Sequence, residues 1–312
     1  MDLPSPAELS DLPAPEGARV VALAMLGEAS KHAAAMAQAR DEETLHDFRV
    51  AVRKLRAWLR AFRGELDDTI GRRALKRLRA VQQLSGGARD AEVQAIWLRA
   101  HLKEVPPDAA PAAELLAQAL DAEAKAGFDV EGTLERFGRV EQLLREGLTR
   151  WTLELKVGQE GEVKPFAWAW MTALRQGLAD LHDAQAKVQG AHDDEALHAM
   201  RIRVKRLRYM AEPLKGWPEG RELLPALKKR QELLGELHDR HVLLMRCGSI
   251  TAEGNASAAE GIMALLRTQV AQLYARHGEL RQTDGLLGEK IEMMCARLHQ
   301  RRALRVDYFP LD

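Results

Sequence analysis

Residues 45–56 read LHDFRVAVRKLR and residues 197–208 read LHAMRIRVKRLR, so one motif occurs twice, 152 positions apart. In a helix, with about 100° of rotation per residue, the histidine and most cations of each copy share one stripe. The apolar residues form the stripe beside it. Each copy therefore predicts a helix that buries one face and shows a row of positive charge next to that face.

The repetition extends beyond this motif. Residues 78–86, LRAVQQLSG, precede Asp90, and residues 227–235, LKKRQELLG, precede Asp239 at an offset of 149. Arg72 and Arg221 correspond under the same offset. We therefore expect two copies of one helical unit, related by a pseudo-two-fold axis.

Composition favours helix along nearly the whole chain, because alanine, leucine, arginine and glutamate dominate and aromatic residues make up only 5%. Asp41 and Asp193 stand where N-caps of the two motif helices are expected. The predicted fold is all-α, with two antiparallel helical bundles packed into one domain around a central basic surface.

The predicted boundaries follow the proline and glycine clusters. We expect a disordered, proline-rich lead-in over residues 1–15 and a first bundle over residues 16–157. Gly158–Val163 is the predicted linker, and residues 163–310 form the second bundle, in which separate helices are expected at 220–236 and 238–248.

The charge of the chain is strongly segregated, although 46 Lys and Arg balance 46 Asp and Glu. Residues 45–79 hold eleven basic residues against four acidic ones, and residues 195–230 hold ten against four. Residues 297–305 add Arg297, Arg301, Arg302 and Arg305, which we expect to widen the same face. Such segregation predicts one basic surface on an otherwise acidic body.

The candidate polyanion-binding residues come from the motif stripes and from a second basic helix in each half, whose row is thinner in the second copy. In the first half they are His46, Arg49, Arg53, Arg56, Arg60, Arg72, Lys76 and Arg79. In the second half they are His198, Arg201, Lys205, Arg208, Arg221 and Lys228. We expect the two histidines to become protonated hydrogen-bond donors when an anion binds.

The number of cysteines and the lengths of the apolar runs limit the classes of protein to which the chain can belong. Cys247 and Cys295 are too few for a disulfide framework or a metal site, and they fit a reducing compartment. No apolar run approaches the ~20 residues of a membrane span, and we expect the proline-rich first residues not to act as a signal peptide. We expect a cytoplasmic protein that needs no cofactor and does not associate with a membrane.

The doubled motif, with Arg89-Asp90 and His238-Asp239 downstream of its two copies, resembles the CHAD domain, the conserved histidine α-helical domain. The resemblance covers roughly residues 16–310. It implies a pair of four-helix-type bundles whose central basic surface binds inorganic polyphosphate. The ligand-facing residues that it implies are His46, Arg49, Arg53 and Arg56, together with His198, Arg201, Lys205 and Arg208.

The same resemblance suggests a biological setting. Many members of the family are fused to a triphosphate tunnel metalloenzyme domain, and we expect this chain to be a stand-alone module without one. The expected function is non-catalytic polyphosphate binding, with possible association with polyphosphate granules and their proteins.

Other functions remain open at this stage. His-Asp pairs such as His182-Asp183 and His192-Asp193 are typical of helical metal-dependent phosphohydrolases, although the arginines around His46 and His198 disfavour a metal cation. A basic row also suits a nucleic-acid backbone, but regularly spaced aromatic residues for base stacking are missing. A binding site for phosphorylated or acidic proteins is the third alternative.

Overall fold

The computed structural model describes residues 3–39, 41–67, 69–84, 87–125, 129–150, 164–251 and 256–306. The linker predicted at Gly158–Val163 lies outside these residues. The described chain is helical nearly throughout, with a single backbone bridge between Pro13 and Pro165. The predicted all-α class is confirmed.

The described residues of the first half form eight α-helices. They are α1 (Pro6–Asp11), α2 (Ala14–Ala39), α3 (Glu42–Ala61), α4 (Arg63–Leu66), α5 (Arg72–Leu84), α6 (Gly87–Ala100), α7 (Ala110–Lys125) and α8 (Val130–Arg150). The first motif lies in α3, whose N-cap is Asp41, as predicted: its side chain accepts a hydrogen bond from the backbone N–H of Thr44 at 2.8 Å.

Five α-helices form among the residues described in the second half. They are α9 (Phe166–Ala186), α10 (Asp194–Ala211), α11 (Pro218–Thr251), α12 (Ala256–Arg281) and α13 (Asp284–Val306). The second motif lies in α10, and Asp193 caps it through the N–H of Ala196, again as predicted.

The repeat of the sequence is also a repeat of packing. Helix α2 packs on α3 and α8, as α9 packs on α10 and α13. The indole N–H of Trp58 donates to the carbonyl of Ala18, and that of Trp170 donates to the carbonyl of Met210, both at 2.9 Å. Adding 152 to 58 and 18 gives 210 and 170. The same two positions are therefore linked in each half, with the tryptophan on opposite partners.

The hydrophobic cores do not divide at the predicted boundary between the halves. The main core joins α2, α3, α5 and α8 with α9, α10, α13 and the first part of α11. A smaller core joins α6 and α7 to the second part of α11 and to α12. Helices of both halves therefore share each core, since α3 packs against α10 in the main core and α7 packs against α12 in the smaller one.

The N-terminal segment differs from the predicted disordered lead-in. Pro6–Asp11 is a helix with a capping box, in which Ser5 and Glu8 bond reciprocally, and Leu9 is fully buried. The backbone around Pro13 is held as well, since the N–H of Ala14 donates to the carbonyl of Lys164 at 2.9 Å. Apolar burial and these backbone bonds order a segment whose prolines suggested otherwise.

Helix α11 is continuous where two helices were predicted, at 220–236 and 238–248. Gly235 does not end it, because a glycine inside a helix costs only about 1 kcal/mol. Leu233, Leu234 and Leu237 around it are buried in the main core, which holds the helix together.

The two thiols of the chain, Cys247 and Cys295, are free and buried. Burial raises the pKa of each to about 11, so both are protonated at neutral pH. Among the described residues, no helix is both long and apolar enough to cross a membrane.

The hydrogen bond from the Trp170 indole to the carbonyl of Met210 offers a test of the shared core. Trp170 is fully buried and packs in an aromatic cluster with Trp58 and Phe166. We expect Trp170→Phe to lower the free energy of unfolding by about 1–3 kcal/mol, from the lost hydrogen bond and the smaller ring. Urea denaturation followed by circular dichroism measures this. Trp168→Phe is the matched control, since Trp168 is 39% exposed, and an equal loss there would contradict the assignment.

Candidate functional site

The two motif helices enclose a cavity of about 530 Å³ where α3 and α10 lie side by side. We call it the basic groove. Its charged lining consists of Arg49, Arg53, Arg56, Arg60, Arg79, Arg201, Lys205, Arg206, His198, His238 and Asp239. Gln82, Gln83, Gln94 and Tyr209 contribute polar groups to the same wall. Seven of the predicted cations and one predicted histidine therefore lie in one place.

The apolar stripes of the two helices set the direction of the cations. Phe48, Val52 and Leu55 of α3 are essentially without solvent exposure, as are Met200 and Val204 of α10. The angle between neighbouring stripes of side chains is fixed in a helix. When one stripe is buried, the direction of the stripe beside it is therefore set as well. The stripe beside the core therefore faces the groove from both helices.

Positive charge in the groove is poorly compensated. Within the described part of the chain, Arg53, Arg60 and Arg206 have neither a hydrogen bond nor an ion pair. The pKa of Arg206 is lowered, first by burial and then by Arg60 and its other arginine neighbours. Burial followed by Arg60 and Arg79 likewise lowers the pKa of Arg56. Binding of an anion in the groove would relieve this repulsion between arginines, whereas binding of a further cation would add to it.

Two histidines meet at one end of the groove. The Nδ1 atoms of His198 and His238 are 3.3 Å apart, and their ring centroids are separated by 4.4 Å. Burial, and next the charge of Arg201, lowers the pKa of both. Asp194 opposes this shift, with its Oδ1 3.4 Å from His238 Nδ1. Both rings are therefore neutral at pH 7, which allows a hydrogen bond between the two Nδ1 atoms when only one of them carries a proton.

Six of the predicted residues do not line the groove. His46, Arg72, Lys76 and Arg221 are exposed on the surface outside it. Lys228 lies 3.5 Å from the carboxylate of Glu232. Arg208 turns away from the groove and donates to Gln231 and Glu212, both at 2.9 Å.

Sequence reasoning missed several residues of the groove. Arg206 was passed over because it lies off the stripe that carries Arg201 and Lys205. His238 was noticed only as part of the downstream His-Asp pair. The sequence did hold one usable signal, since Gln82 and Gln231 correspond at the offset of 149, and they accept from the corresponding Arg56 and Arg208.

Arg297 takes a different place from the one expected for it. Arg297 pairs with Glu219 at 2.7 Å, and its guanidinium lies 5.7 Å from the ring centroid of Trp217. This contact joins α13 to the start of α11 and neutralises the charge of Arg297. The side chains of Arg301, Arg302 and Arg305 lie outside the described residues.

The His-Asp pairs do not assemble into a common centre. His182 and His192 are exposed outside the groove. Among the described side chains, no group of three His, Cys, Asp or Glu residues is placed to hold a metal ion.

Comparison with known proteins agrees with the fold and the motif. The family model described as the CHAD domain matches residues 21–247. The crystal structure of the CHAD domain from the plant Ricinus communis is similar with a TM-score of 0.65 and 23% sequence identity, over 87% of this chain and 93% of that one. Among curated proteins, none matches the chain.

The histidine pair predicts a pH dependence of stability. Because the folded protein lowers both imidazole pKa values from 6.5, it binds fewer protons than the unfolded chain as the pH falls below about 6.5. The free energy of unfolding therefore falls from there downward. We expect His198→Gln/His238→Gln to lose less stability than the wild type between pH 7.5 and 5.5, in urea titrations. Identical losses would show that the pair does not titrate in this range.

Proposed function

The chain belongs to the CHAD domain family, and on that premise we propose that its basic groove binds inorganic polyphosphate without catalysing a reaction. The observation that carries the proposal is that Arg53, Arg60 and Arg206 line one groove and, among the described residues, make neither a hydrogen bond nor an ion pair. Holding such cations together is unfavourable in the free protein, and a bound polyanion removes that cost.

Arginines elsewhere on the protein provide a contrast. Many are already paired with a carboxylate, as in Arg139–Glu135 at 3.0 Å, Arg175–Glu292 at 2.6 Å and Arg246–Glu123 at 2.5 Å. Such pairs have little to offer an incoming anion. The groove keeps Arg53, Arg60 and Arg206 available, and Asp239 is the single carboxylate in its described lining.

The shape of the groove favours a linear anion. The cations of α3 from Arg49 to Arg60 span about 16 Å, at 1.5 Å per residue, and those of α10 lie across from them. Polyphosphate carries a negative charge on every unit, so it can meet such a row repeatedly. Arginine forks can each contact two phosphate oxygens, which suits recognition of shape and charge.

A purely binding role suits the chemistry of the lining. Arginine, lysine and glutamine stabilise charge and donate hydrogen bonds, whereas hydrolysis needs a positioned nucleophile or an activated water. Tyr209 is nearly completely buried, so it offers no exposed ring on which a nucleic-acid base could stack. On this proposal the protein is recruited to polyphosphate, including granules of it, and leaves the polymer intact.

Calorimetric titration with medium-chain polyphosphate tests the proposal. We expect binding that weakens steeply with salt, since counterions are released. Arg53→Ala/Arg206→Ala should weaken it at least tenfold, which corresponds to about 1.4 kcal/mol. Arg139→Ala/Arg145→Ala removes two surface arginines of α8 and is the matched control. Absence of binding, equal losses in both variants, or equally tight binding of duplex DNA would each contradict the proposal.

The histidine pair should couple binding to protons. A phosphate group beside His198 would offset the repulsion from Arg201, so the complex takes up protons that the free protein does not hold. We expect affinity to rise as the pH is lowered from 8 to 6. Titrations in two buffers of different ionisation enthalpy measure the uptake. His198→Gln/His238→Gln should abolish it, and persistence of the uptake in that variant would assign it to other groups.

A further inference from the structure

The two ends of the paired motif helices are chemically different. The offset of 152 relates Arg56 to Arg208 and Lys54 to Arg206, so at these positions a cation in one copy corresponds to a cation in the other. It also relates Arg60 to Glu212, and there an acid replaces a base. This is the one pair of the two motif helices in which the sign of the charge is reversed, although Arg203 and Asp47 also correspond to uncharged residues, Ala51 and Ala199.

At the first end two arginines lack a partner. Within the described residues Arg60 and Arg206 make neither a hydrogen bond nor an ion pair. Burial, and next the charge of Arg60, lowers the pKa of Arg206, while Asp180 opposes the shift. Both arginines also line a neighbouring cavity of about 430 Å³, where Asp180 is paired with Arg203 at 3.0 Å and Glu65 supplies a second carboxylate. Arg60 and Arg206 are thus the cations that an anion can meet past this end of the groove.

At the second end the equivalent cations are neutralised. Glu212 accepts from Arg208 at 2.9 Å and lies 2.8 Å from the Nζ of Lys54. The carboxylate is only 23% exposed, so the two pairs are partly shielded from solvent. Where Arg60 and Arg206 lack a partner at the first end, Lys54 and Arg208 share one carboxylate at the second end.

The surroundings of Glu212 hold charges of both signs. The cavity that contains Lys54, Arg208 and Glu212 is also lined by Glu28, Asp47, Lys215 and Lys228. The offset of 152 relates Glu28 to Asp180, which lines the first-end cavity, so Glu28 does not distinguish the two ends. A polyanion leaving the groove in this direction would meet Lys54 and Arg208 already paired with Glu212.

We propose that Glu212 ends the anion-binding track, so that a bound polyphosphate chain is held asymmetrically. The chain runs from the His198–His238 end along the groove and leaves over Arg60 and Arg206. It does not continue onto Lys54 and Arg208. This inference rests on the proposed function and adds a residue that limits the length of the site.

The test compares Glu212→Gln with the wild type in calorimetric titrations with medium-chain polyphosphate at several salt concentrations. Glutamine keeps the size and hydrogen bonding of the side chain and releases Lys54 and Arg208. We expect affinity to increase about threefold or more. The slope of the logarithm of the binding constant against the logarithm of the salt concentration should steepen by about one to two units, because further cations now contact phosphate. Glu212→Arg, which restores the residue type of Arg60, should increase affinity further.

Glu292→Gln is the matched control, since it makes the same change in net charge and releases Arg175 on an exposed surface away from the groove. An equal gain there would assign the effect to net charge and overturn the inference. Unchanged affinity in both Glu212 variants, with circular dichroism showing a folded protein, would also overturn it while leaving the proposed function standing. Wild-type protein that binds no polyphosphate would refute both.

Discussion

The packing of α3 against α10 is the contact on which the site depends. Each helix buries an apolar stripe in a core that both halves share, and its cations lie on the stripe next to it. The hydrophobic gain from residues such as Phe48 and Met200 is what holds two rows of like charge together. Without that gain the rows would repel each other, since arginine cannot lose its proton at neutral pH.

In the free protein, the packing of like charges beside one another lowers the pKa values of several groove residues. Arg56 and Arg206 have lowered pKa values because they are half-buried near other arginines. The His198–His238 pair avoids adding charge by remaining neutral. Both features are unfavourable or inert in isolation and become favourable beside an anion. Local stability is thus lowered where the proposed ligand would restore it.

Much of this arrangement could be predicted from the sequence, because a helix has a fixed period. The repeat, the N-caps Asp41 and Asp193, and the phase of the cationic stripe all follow from local spacing. The shared cores could not be predicted, since they depend on which apolar faces of distant helices meet. The same limit applies to Arg206, whose inward direction depends on the crossing of α10 with α3.

The prediction for Arg208 shows a second limit. Its phase matches that of Arg56, yet a side chain long enough to reach in several directions goes to the best partner. Glu212, one turn further along α10, supplies that partner, whereas Arg60 stands at the equivalent place in α3. Periodicity therefore locates a residue on a face, and the charges one turn away decide what it contacts.

That distinction also bears on what a repeated fold can recognise. Two identical halves would present the same charges at both ends, and an anion could leave the groove equally well in either direction. The exchange of one arginine for one glutamate removes this equivalence without altering the shared core, because both positions lie at the ends of their helices. On the proposed function, the protein keeps the fold of a repeat and binds as an asymmetric site.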